Sequence, residues 1–384
     1  MTIMIIKSSA WTLEDFETSL HPEYAAIRGF VRSFRSNFAL VGIGGGAYQR
    51  FHHSTFDVTF YNIPDSNPIF WLLAYPMVLA LVVAVRPKVL FTMGMFVQIP
   101  AQLGADLVGA RHVTALIGEP FYLPSRMRLF SKVVRLHFFL RISLRRVRAA
   151  VAISEKARRD IEKILGGGPP QIGLYHYTLP DIFHPDLTAT LKVGKPLRGP
   201  IVLTSCRFER RKGLEVVILA ASLVVHMIPN VTFVIRGPIS DANYFGELRE
   251  MIRKKGLGEQ VVLAGETRSY EDLPGILASA DVFLHPSRDE SLGLAIAEAL
   301  ACGVPVVATR VGGIPELVEH MGNGLLVEPN AESVSNAIVT ILTDTELRER
   351  LKDGARRFSY CVRKPKNSDF ARVFEMRIRE ALWA

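Results

Sequence analysis

The sequence predicts an α/β protein built from two doubly wound domains, each a parallel sheet covered by helices. The first observation is an alternation of short apolar runs and longer helical ones from residue 200 onward, with Gly or Pro at the joints. The second is the length of 384 residues, which exceeds one ordinary core and suits two domains. Strands this apolar, separated by helices, are typical of a parallel sheet buried on both faces.

The second half of the chain gives the clearer pattern. Its predicted strands are, in order, PIVLTSC, VTFVIRG, QVVLAG, DVFLHP, VPVVAT and GLLVEP. The predicted helices between them are GLEVVILAASLVVHM, YFGELREMIRKKG, YEDLPGILASA, SLGLAIAEALA and IPELVEH. This series amounts to a complete doubly wound domain, which we place at residues 186–360.

The first half, residues 1–185, shows the same alternation more loosely. Its predicted strands are TIMIIKS, NFALVGIG, FDVTFYNI, KVLFTMG, HVTALIG and AAVAIS. A Pro-, Gly- and His-rich passage, LPDIFHPDLTATLKVGKPLRGP, separates the halves and predicts a hinge. Residues 361–384 are predicted to form a helix that packs back on the first domain. Ligands of doubly wound sheets bind at the carboxyl ends of the strands, so we expect a cleft between two facing domains.

Composition and charge narrow the class of protein. Half of the residues are hydrophobic and 22% are charged, which excludes a disordered chain. The net charge of +9 is uneven: through Asp181 there are 20 Lys+Arg against 12 Asp+Glu, and 26 against 25 in the remainder. Three widely separated cysteines offer neither zinc spacing nor a disulfide framework. A reducing, cytoplasmic compartment is therefore expected, with the basic surface on the first domain.

Two segments raise the question of membrane contact. Ser66–Val85 is uncharged but is interrupted by Pro76, which favours a buried helix over a membrane span. The opening residues resemble a buried first strand and not a signal peptide. Residues 125–148 interleave arginines with Leu, Phe and Val, a pattern that suits a peripheral helix on an anionic membrane. The alternative is a first-domain helix with its arginines in water. Nucleic-acid binding is not predicted, because no recognition motif accompanies the charge.

A glycine-rich turn invites a different function. The run Gly42-x-Gly44-x-x-Ala47 follows a predicted strand and resembles a dinucleotide-binding fingerprint, which would suit an NAD-dependent oxidoreductase. That fingerprint normally follows the first strand and opens a long helix, whereas this one follows the second predicted strand and precedes a poor helix. A tight turn that needs positive φ is the favoured interpretation.

The stretch SCRFERRKG combines cations with a helix start. Arg207 and Lys212 come from one loop at the carboxyl end of the second domain's first strand. A guanidinium, an ammonium and a helix dipole converging there would suit a diphosphate. A solvated basic turn is the alternative.

The stretch PSRDESLGLAIAEALACGVPVVAT places Glu290 in a loop and Glu298 eight residues later in an apolar helix. Ser291 is predicted as the helix N-cap. The backbone amides that would then face an anion are those of Leu292, Gly293 and Leu294. A carboxylate at position 298 is costly to bury unless something pairs with it, and vicinal sugar hydroxyls are suitable donors.

These segments carry a family resemblance. Arg-x4-Lys-Gly at 207–213 and HPSRDESLGLAIAEALACGVPVVATRVGGIPELVEHMGNGLLVEP at 285–329 resemble the retaining family 4 glycosyltransferases with the GT-B fold. The Glu-x7-Glu spacing, the Gly-x-Pro-Val-Val-Ala strand and the Gly-Gly-x-Pro-Glu loop occur together and in order. The match is strongest over residues 200–345 and looser over 85–185.

The resemblance implies roles for individual residues. Arg207 and Lys212 would neutralise the diphosphate of a nucleotide-sugar donor, and Glu298 would hold the ribose hydroxyls. Glu290 would contact the transferred sugar near the reacting carbon. The residues implied to contact sugar and phosphate through the turn are Ser291, Leu292, Gly293 and Leu294.

The resemblance also implies less sharply defined contacts. Glu266 and Arg268 would lie beside the nucleobase. The acceptor side is assigned to Gly44, Gly45, Gly118 and Glu119. Two features depart from the family: Ile117 stands where a histidine is common, and SSAWTLEDFETSLHPEY replaces the usual Gly-Gly loop after the first strand.

The resulting hypothesis is a retaining hexosyltransferase that uses a UDP- or GDP-sugar and a lipid-linked or glycan acceptor at the cytoplasmic face of a membrane. No Asp-x-Asp motif occurs, so no cofactor and no essential metal are expected. Two alternatives stay open: the NAD-dependent oxidoreductase using Gly42–Ala47, and a nucleotide-sugar-binding protein without activity, suggested by Ile117.

Overall fold

A computed structural model gives the fold of two compact units. It describes residues 2–7, 27, 37–43, 49–53, 58–63, 70–93, 97–116, 136–167, 172–174, 179–193, 197, 199–265, 270–363 and 376. Unit 1 comprises Met1–Tyr177 and Lys366–Ala384, and unit 2 comprises Thr178–Pro365. The division falls earlier than the predicted boundary after residue 185, because Leu179 and Phe183 are buried in the core of unit 2.

Unit 1 contains an eight-stranded sheet in the order β3-β4-β2-β1-β5-β6-β7-β8. Its strands are β1 Thr2–Lys7, β2 Asn37–Ile43, β3 Gln49–His53, β4 Val58–Ile63, β5 Val89–Met93, β6 Arg111–Leu116, β7 Ala149–Ala152 and β8 Ile172–Leu174. Strand β3 pairs antiparallel with β4, and the other neighbours pair parallel. The edge strand β3 and the short β8 were not predicted from the sequence.

The helices described in unit 1 are α1 Phe70–Val85, α2 Gln98–Val108, α3 Leu136–Arg146 and α4 Glu155–Leu165. Helix α1 lies on the sheet, because Val78 and Val82 pack with Met4, Ile6 and other strand residues in one core. This is the buried helix that the Pro76-containing run predicted. Within the described residues, no helix has both the length and the apolar character needed to cross a bilayer.

Unit 2 contains a six-stranded parallel sheet in the order β11-β10-β9-β12-β13-β14. Its strands are β9 Ile201–Ser205, β10 Thr232–Arg236, β11 Val261–Ala264, β12 Val282–His285, β13 Val306–Thr309 and β14 Gly324–Val327. Its α-helices are α5 Leu214–Met227, α6 Ala242–Lys254, α7 Leu273–Leu277, α8 Leu294–Ala301, α9 Ala331–Thr343 and α10 Thr345–Arg363. The helix predicted for residues 361–384 falls almost entirely outside the described residues.

The strand order of unit 2 fixes where a ligand can bind. Successive residues of a strand point to opposite faces, so Val202 joins one core while Leu203 joins the core on the other face. Covering both faces confirms the predicted doubly wound class. If the strands are numbered 1 to 6 along the chain, their order across the sheet is 3-2-1-4-5-6. The direction in which successive strands are added reverses between β9 and β12. That reversal is the point at which doubly wound sheets leave a crevice at the strands' carboxyl ends.

Candidate functional site

Two loops meet at the carboxyl ends of β9 and β12. The backbone N–H of Arg288 donates to the carbonyl oxygen of Arg211 at 2.8 Å. Beside this bond, Gly213 has φ 63°, and a Cβ there would lie 2.3 Å from the carbonyl oxygen of Pro286. Glycine is required because its backbone adopts this φ and approaches the second loop closely. The contact brings the basic loop against the loop that carries Glu290.

A third loop, after β13, supports the backbone of Glu290. The N–H of Gly313 donates to the carbonyl oxygen of Glu290 at 2.9 Å. Gly312 has φ 56°, and a Cβ there would lie 1.7 Å from the same oxygen. The Gly-Gly-x-Pro-Glu loop therefore serves as a close-packed support for the catalytic-site candidate, a function that the motif alone does not reveal.

The carboxylate of Glu290 accepts three hydrogen bonds on one oxygen. Lys212 Nζ lies 2.5 Å from Oε2, His285 Nε2 lies 2.9 Å from it and Ser287 Oγ lies 3.4 Å from it. All four side chains are buried. No hydrogen bond from a described residue reaches Oε1, so this oxygen is left to accept a hydroxyl from a ligand.

The surroundings of Glu290 keep it ionised. Burial alone would raise its pKa, but the hydrogen bond from His285 and the charge of Lys212 outweigh burial and hold the pKa well below its usual range. Burial lowers the pKa of His285, so the imidazole is neutral at pH 7. Since a carboxylate only accepts hydrogen bonds, Nε2 of His285 carries the hydrogen.

The cations of the basic loop are already paired with carboxylates in the ligand-free chain. Glu209 accepts from Arg207 at 2.9 Å on one oxygen and from Arg211 at 2.8 Å on the other. The side chain of Arg207 is 56% exposed, so water screens this pair and a ligand can displace it. A diphosphate would therefore bind Arg207 and Lys212, the predicted diphosphate-binding residues, by displacing the carboxylates of Glu209 and Glu290.

Glu298 has the opposite electrostatic setting. It is buried in α8, and the hydroxyl of Tyr270 donates to its Oε1 at 2.7 Å. Burial raises its pKa to about 7, and the hydrogen bond from Tyr270 offsets only part of that rise. A carboxylate this poorly compensated is a good acceptor for hydroxyls that a ligand would bring.

The start of α8 differs from the prediction. The N-cap is Gly293, with φ 97° and no side-chain cap, and the helix begins at Leu294. Ser291 is therefore not the N-cap, because the left-handed conformation at Gly293 separates it from the helix. The first helical amides, those of Leu294 and Ala295, have no intrahelical acceptor. Ser291, Leu292 and Gly293 remain in the turn beside Glu290.

The structure brings together some predicted residues and adds others. Lys212 and Glu290 meet, and Glu298 lies on the helix that follows Glu290. His285, Ser287 and Tyr270 were missed; the signal for His285 was a polar residue ending an otherwise apolar strand. The predicted site residues that lie outside the described residues are Gly44, Gly45, Gly118, Glu119, Glu266 and Arg268. Among described residues, no cluster of three or more His, Cys, Asp or Glu side chains is suited to a metal ion.

The glycine-rich turn does not lead into a helix. Strand β3, Gln49–His53, follows it and pairs antiparallel with β4. A dinucleotide fingerprint places the pyrophosphate at the N-terminus of a helix, so the oxidoreductase alternative gains no structural support here.

A comparison with known families matches a segment of the chain that lies within unit 2. Residues 190–358 match the family described as Glycosyl transferases group 1. The matched segment is a little under half of the chain, and it is similar to that family. The matched residues contain the loops of Lys212 and Glu290, the helix of Glu298 and the Gly312–Gly313 support. The family resemblance of the sequence is thereby confirmed.

Curated relatives align with part of the chain. D-inositol 3-phosphate glycosyltransferase of Jonesia denitrificans is 30% identical over 221 residues, which are 54% of the chain and 52% of the relative. A GDP-mannose-dependent alpha-(1-6)-phosphatidylinositol monomannoside mannosyltransferase of Mycobacterium tuberculosis is 32% identical over 177 residues, 43% and 45% of the two chains. The alignments thus span about half the length of these relatives.

Solved structures match the fold over the whole chain. Sucrose-phosphate synthase from Thermosynechococcus elongatus has a TM-score of 0.77 and 17% identity, covering 100% of this chain and 99% of its own. Anabaena HepE, solved in complex with UDP-glucose, has a TM-score of 0.71 and 19% identity, with the same coverage. The GT-B fold predicted from the sequence is therefore confirmed.

Proposed function

We propose that this protein is a nucleotide-sugar-dependent glycosyltransferase. It moves a hexosyl group from a UDP- or GDP-sugar to a lipid-linked or glycan acceptor, retains the anomeric configuration and needs no metal. The observation that carries the proposal is the Lys212–Glu290 pair at the point where the strand order of unit 2 reverses, inside the segment that matches the group 1 family. Lys212 would bind the diphosphate, and the adjacent Glu290 carboxylate would accept a hydrogen bond from a sugar hydroxyl.

The donor would use each group of the site. Its diphosphate would draw Lys212 Nζ away from Glu290 and Arg207 away from Glu209, and rest near the first amides of α8. Oε1 of Glu290 would accept a hydroxyl of the transferred sugar. Glu298, ionised, would accept the ribose hydroxyls. Glu266 and Arg268 stay proposed as nucleobase neighbours.

The reaction would rely on charge stabilisation. Cleavage of the sugar–phosphate bond leaves negative charge on the departing diphosphate and makes the sugar oxocarbenium-like, so fixed cations beside the diphosphate lower the barrier. The acceptor hydroxyl would bond to the same face of the sugar and pass its proton to a phosphate oxygen of the leaving group. No protein base is then needed. Gly44, Gly45, Gly118 and Glu119 remain the proposed acceptor side.

The choice of nucleotide stays open between two bases. HepE was solved with UDP-glucose, and the mycobacterial relative is named as GDP-mannose-dependent. Both nucleotides therefore belong in a test panel.

A donor panel tests the proposed function. We expect one UDP-, GDP- or ADP-sugar to raise the melting temperature, because a ligand that binds only the folded state stabilises it by mass action. NADH should not change the melting temperature. A rise with NADH alone would favour the oxidoreductase alternative. Donor binding without hydrolysis or transfer to any acceptor would favour the inactive binding protein. A panel with no shift at all would contradict the proposal.

Retention and metal independence are checked on the active donor. The first-formed product should carry the donor's anomeric configuration by ¹H NMR, and turnover should survive EDTA. An inverted product, or activity restored only by added Mg²⁺ or Mn²⁺, would overturn these two parts while leaving nucleotide-sugar transfer standing.

We also propose that unit 1 binds an anionic membrane surface, at the cytoplasmic face. Helix α3 lies in the predicted basic stretch 125–148 and exposes Arg141, Ile142 and Arg146. It packs against α2, where Arg146 pairs with Asp106 at 3.2 Å. The same helix α2 exposes Leu103 and Leu107, at 52% and 71%. Leucines beside arginines suit insertion between anionic headgroups.

Vesicle sedimentation tests this surface. We expect the protein to bind phosphatidylglycerol vesicles at low salt and to dissociate from them at high salt. It should not bind phosphatidylcholine vesicles. Leu107→Asp should weaken vesicle binding about tenfold, because it removes apolar area that the membrane would bury and adds a negative charge. Leu223→Asp, at an exposed leucine of unit 2, is the matched control and should change little. Equal binding by both variants would contradict the assigned surface.

A further inference from the structure

The histidine beside Glu290 has no role in the proposed chemistry, yet it is more deeply buried than either Glu290 or Lys212. His285 ends β12, is buried and stacks on Phe283 with ring centroids 6.2 Å apart. Its Nε2 donates to Oε2 of Glu290 at 2.9 Å. Its Nδ1 is buried and has no hydrogen-bond partner among the described residues. A ring with only one nitrogen satisfied is held there at a cost.

The second ring nitrogen limits what His285 can do. A protonated ring would place an N–H at Nδ1 with no described acceptor, so the neutral Nε2–H form is the stable one. The residue is therefore a fixed neutral donor and does not shuttle protons. Ser287 supplies the neighbouring donor and is held in turn, since Thr309 Oγ1 donates to its carbonyl oxygen at 2.5 Å.

We propose that His285 is a positioning residue: its Nε2–H fixes the Glu290 carboxylate with Oε2 held against β12 and Oε1 turned to the sugar. This inference rests on the proposed function. Lys212 holds the same oxygen only in the ligand-free chain, because the incoming diphosphate competes for its ammonium. Once Lys212 moves, His285 and Ser287 are the described donors that keep the carboxylate in place.

Among the described residues, four charged or titratable groups lie around this carboxylate. Lys212 and His285 contact it, and Arg211 and Cys206 lie further away on the loop after β9. Burial holds the Cys206 thiol neutral at pH 7, since it raises its pKa to about 12. A donor hydrogen bond favours the ionised carboxylate, so its loss raises the pKa of Glu290. As the pH is lowered, activity should then be lost at a higher pH than in the wild type, because Glu290 is protonated earlier.

Two variants separate donation from packing. His285→Gln keeps an N–H donor near the Nε2 position, whereas His285→Met fills similar space without a donor. We expect His285→Met to lower kcat about 10- to 100-fold, with the acid limb of the pH profile moved upward, and to change the Kd of the nucleoside diphosphate little. His285→Gln should recover most of kcat and the wild-type acid limb. Equal loss in both variants, or a loss confined to diphosphate binding, would overturn the inference.

A substrate-free measurement keeps this inference distinct from the proposed function. His285→Met should lower the melting temperature in the wild-type background and have little effect when combined with Glu290→Ala, because the lost hydrogen bond is already absent. The same penalty in both backgrounds would overturn the link to Glu290. A wild-type protein that binds no nucleotide sugar would instead overturn the proposed function, and the melting comparison would still decide the hydrogen bond.

Discussion

Lys212→Met should lower kcat/KM about 100- to 1,000-fold, the cost typical of removing one preorganised group that stabilises charge in a transition state. The same variant should also lose about 3 kcal/mol of unfolding free energy, because Glu290 would remain buried without its cation. Lys212 Nζ lies 2.5 Å from Glu290 Oε2, and both side chains are about nine-tenths buried. Steady-state kinetics and urea unfolding measure the two effects.

A double variant separates the two roles of this pair. Lys212→Met combined with Glu290→Gln removes both charges, so it should recover much of the lost stability and remain inactive. The matched control is Lys352→Met, which removes a lysine from an exposed ion pair with Glu349 and should change neither property measurably. An active Lys212→Met protein of wild-type stability would contradict both the pairing and the role.

Glu298→Gln should stabilise the protein at pH 8 and weaken donor binding about 10- to 100-fold. The pKa of Glu298 rises from the ordinary value of 4.5 to about 7 on folding. Between those values the unfolded state releases its proton first, so wild-type stability falls as the pH rises through this window, by on the order of 3 kcal/mol. A glutamine never ionises and escapes this cost. It also lacks the charge that would hold the ribose hydroxyls.

The pH dependence provides the control for Glu298. At pH 4 to 5 the wild type and Glu298→Gln should melt alike, and at pH 8 the variant should melt higher. Tyr270→Phe removes the donor to this carboxylate that the described residues provide, and it should move the wild-type transition to higher pH. Glu328→Gln, at an exposed position, should leave the profile unchanged. A wild type whose stability rises between pH 5 and pH 7 relative to Glu298→Gln would contradict the burial of a protonated carboxyl group.

Glu290 should change the pH dependence of stability in the direction opposite to Glu298. Its folded pKa lies below the ordinary value, so it contributes stability above that value and loses it as the pH falls. Among the described residues, Glu290 has a lysine and a histidine beside its carboxylate, whereas Glu298 has a tyrosine hydroxyl, and this difference gives the two pKa shifts opposite signs.

The fold of unit 2 could be predicted from the sequence because its strands are nearly continuous apolar runs between helices. Three of these strands, β10, β12 and β13, are buried at every residue in the structure. Strand β3 escaped prediction because QRFHH is polar and pairs at an edge, where burial does not constrain its composition. The division near Tyr177 escaped it because Pro and His suggested a linker where Leu179 and Phe183 are core residues.

The sequence names candidate residues for the site but not the contacts between them. The spacing of Glu290 and Glu298 and the cations of the basic loop are visible in the sequence. The Lys212–Glu290 contact joins residues 78 positions apart, so it depends on β9 and β12 being neighbours in the sheet. The helix start moved from Ser291 to Gly293 because a positive φ, which no propensity rule assigns, sets it.

The most direct test is a crystal structure of the protein with its preferred nucleotide sugar, fluorinated at C2 to slow transfer. We expect the diphosphate within hydrogen-bond distance of Lys212 Nζ and Arg207. We also expect a sugar hydroxyl on Glu290 Oε1, with Oε2 still held by His285, and the ribose on Glu298. A donor bound elsewhere, or one that leaves Lys212 paired with Glu290 and out of contact with phosphate, would contradict this binding mode.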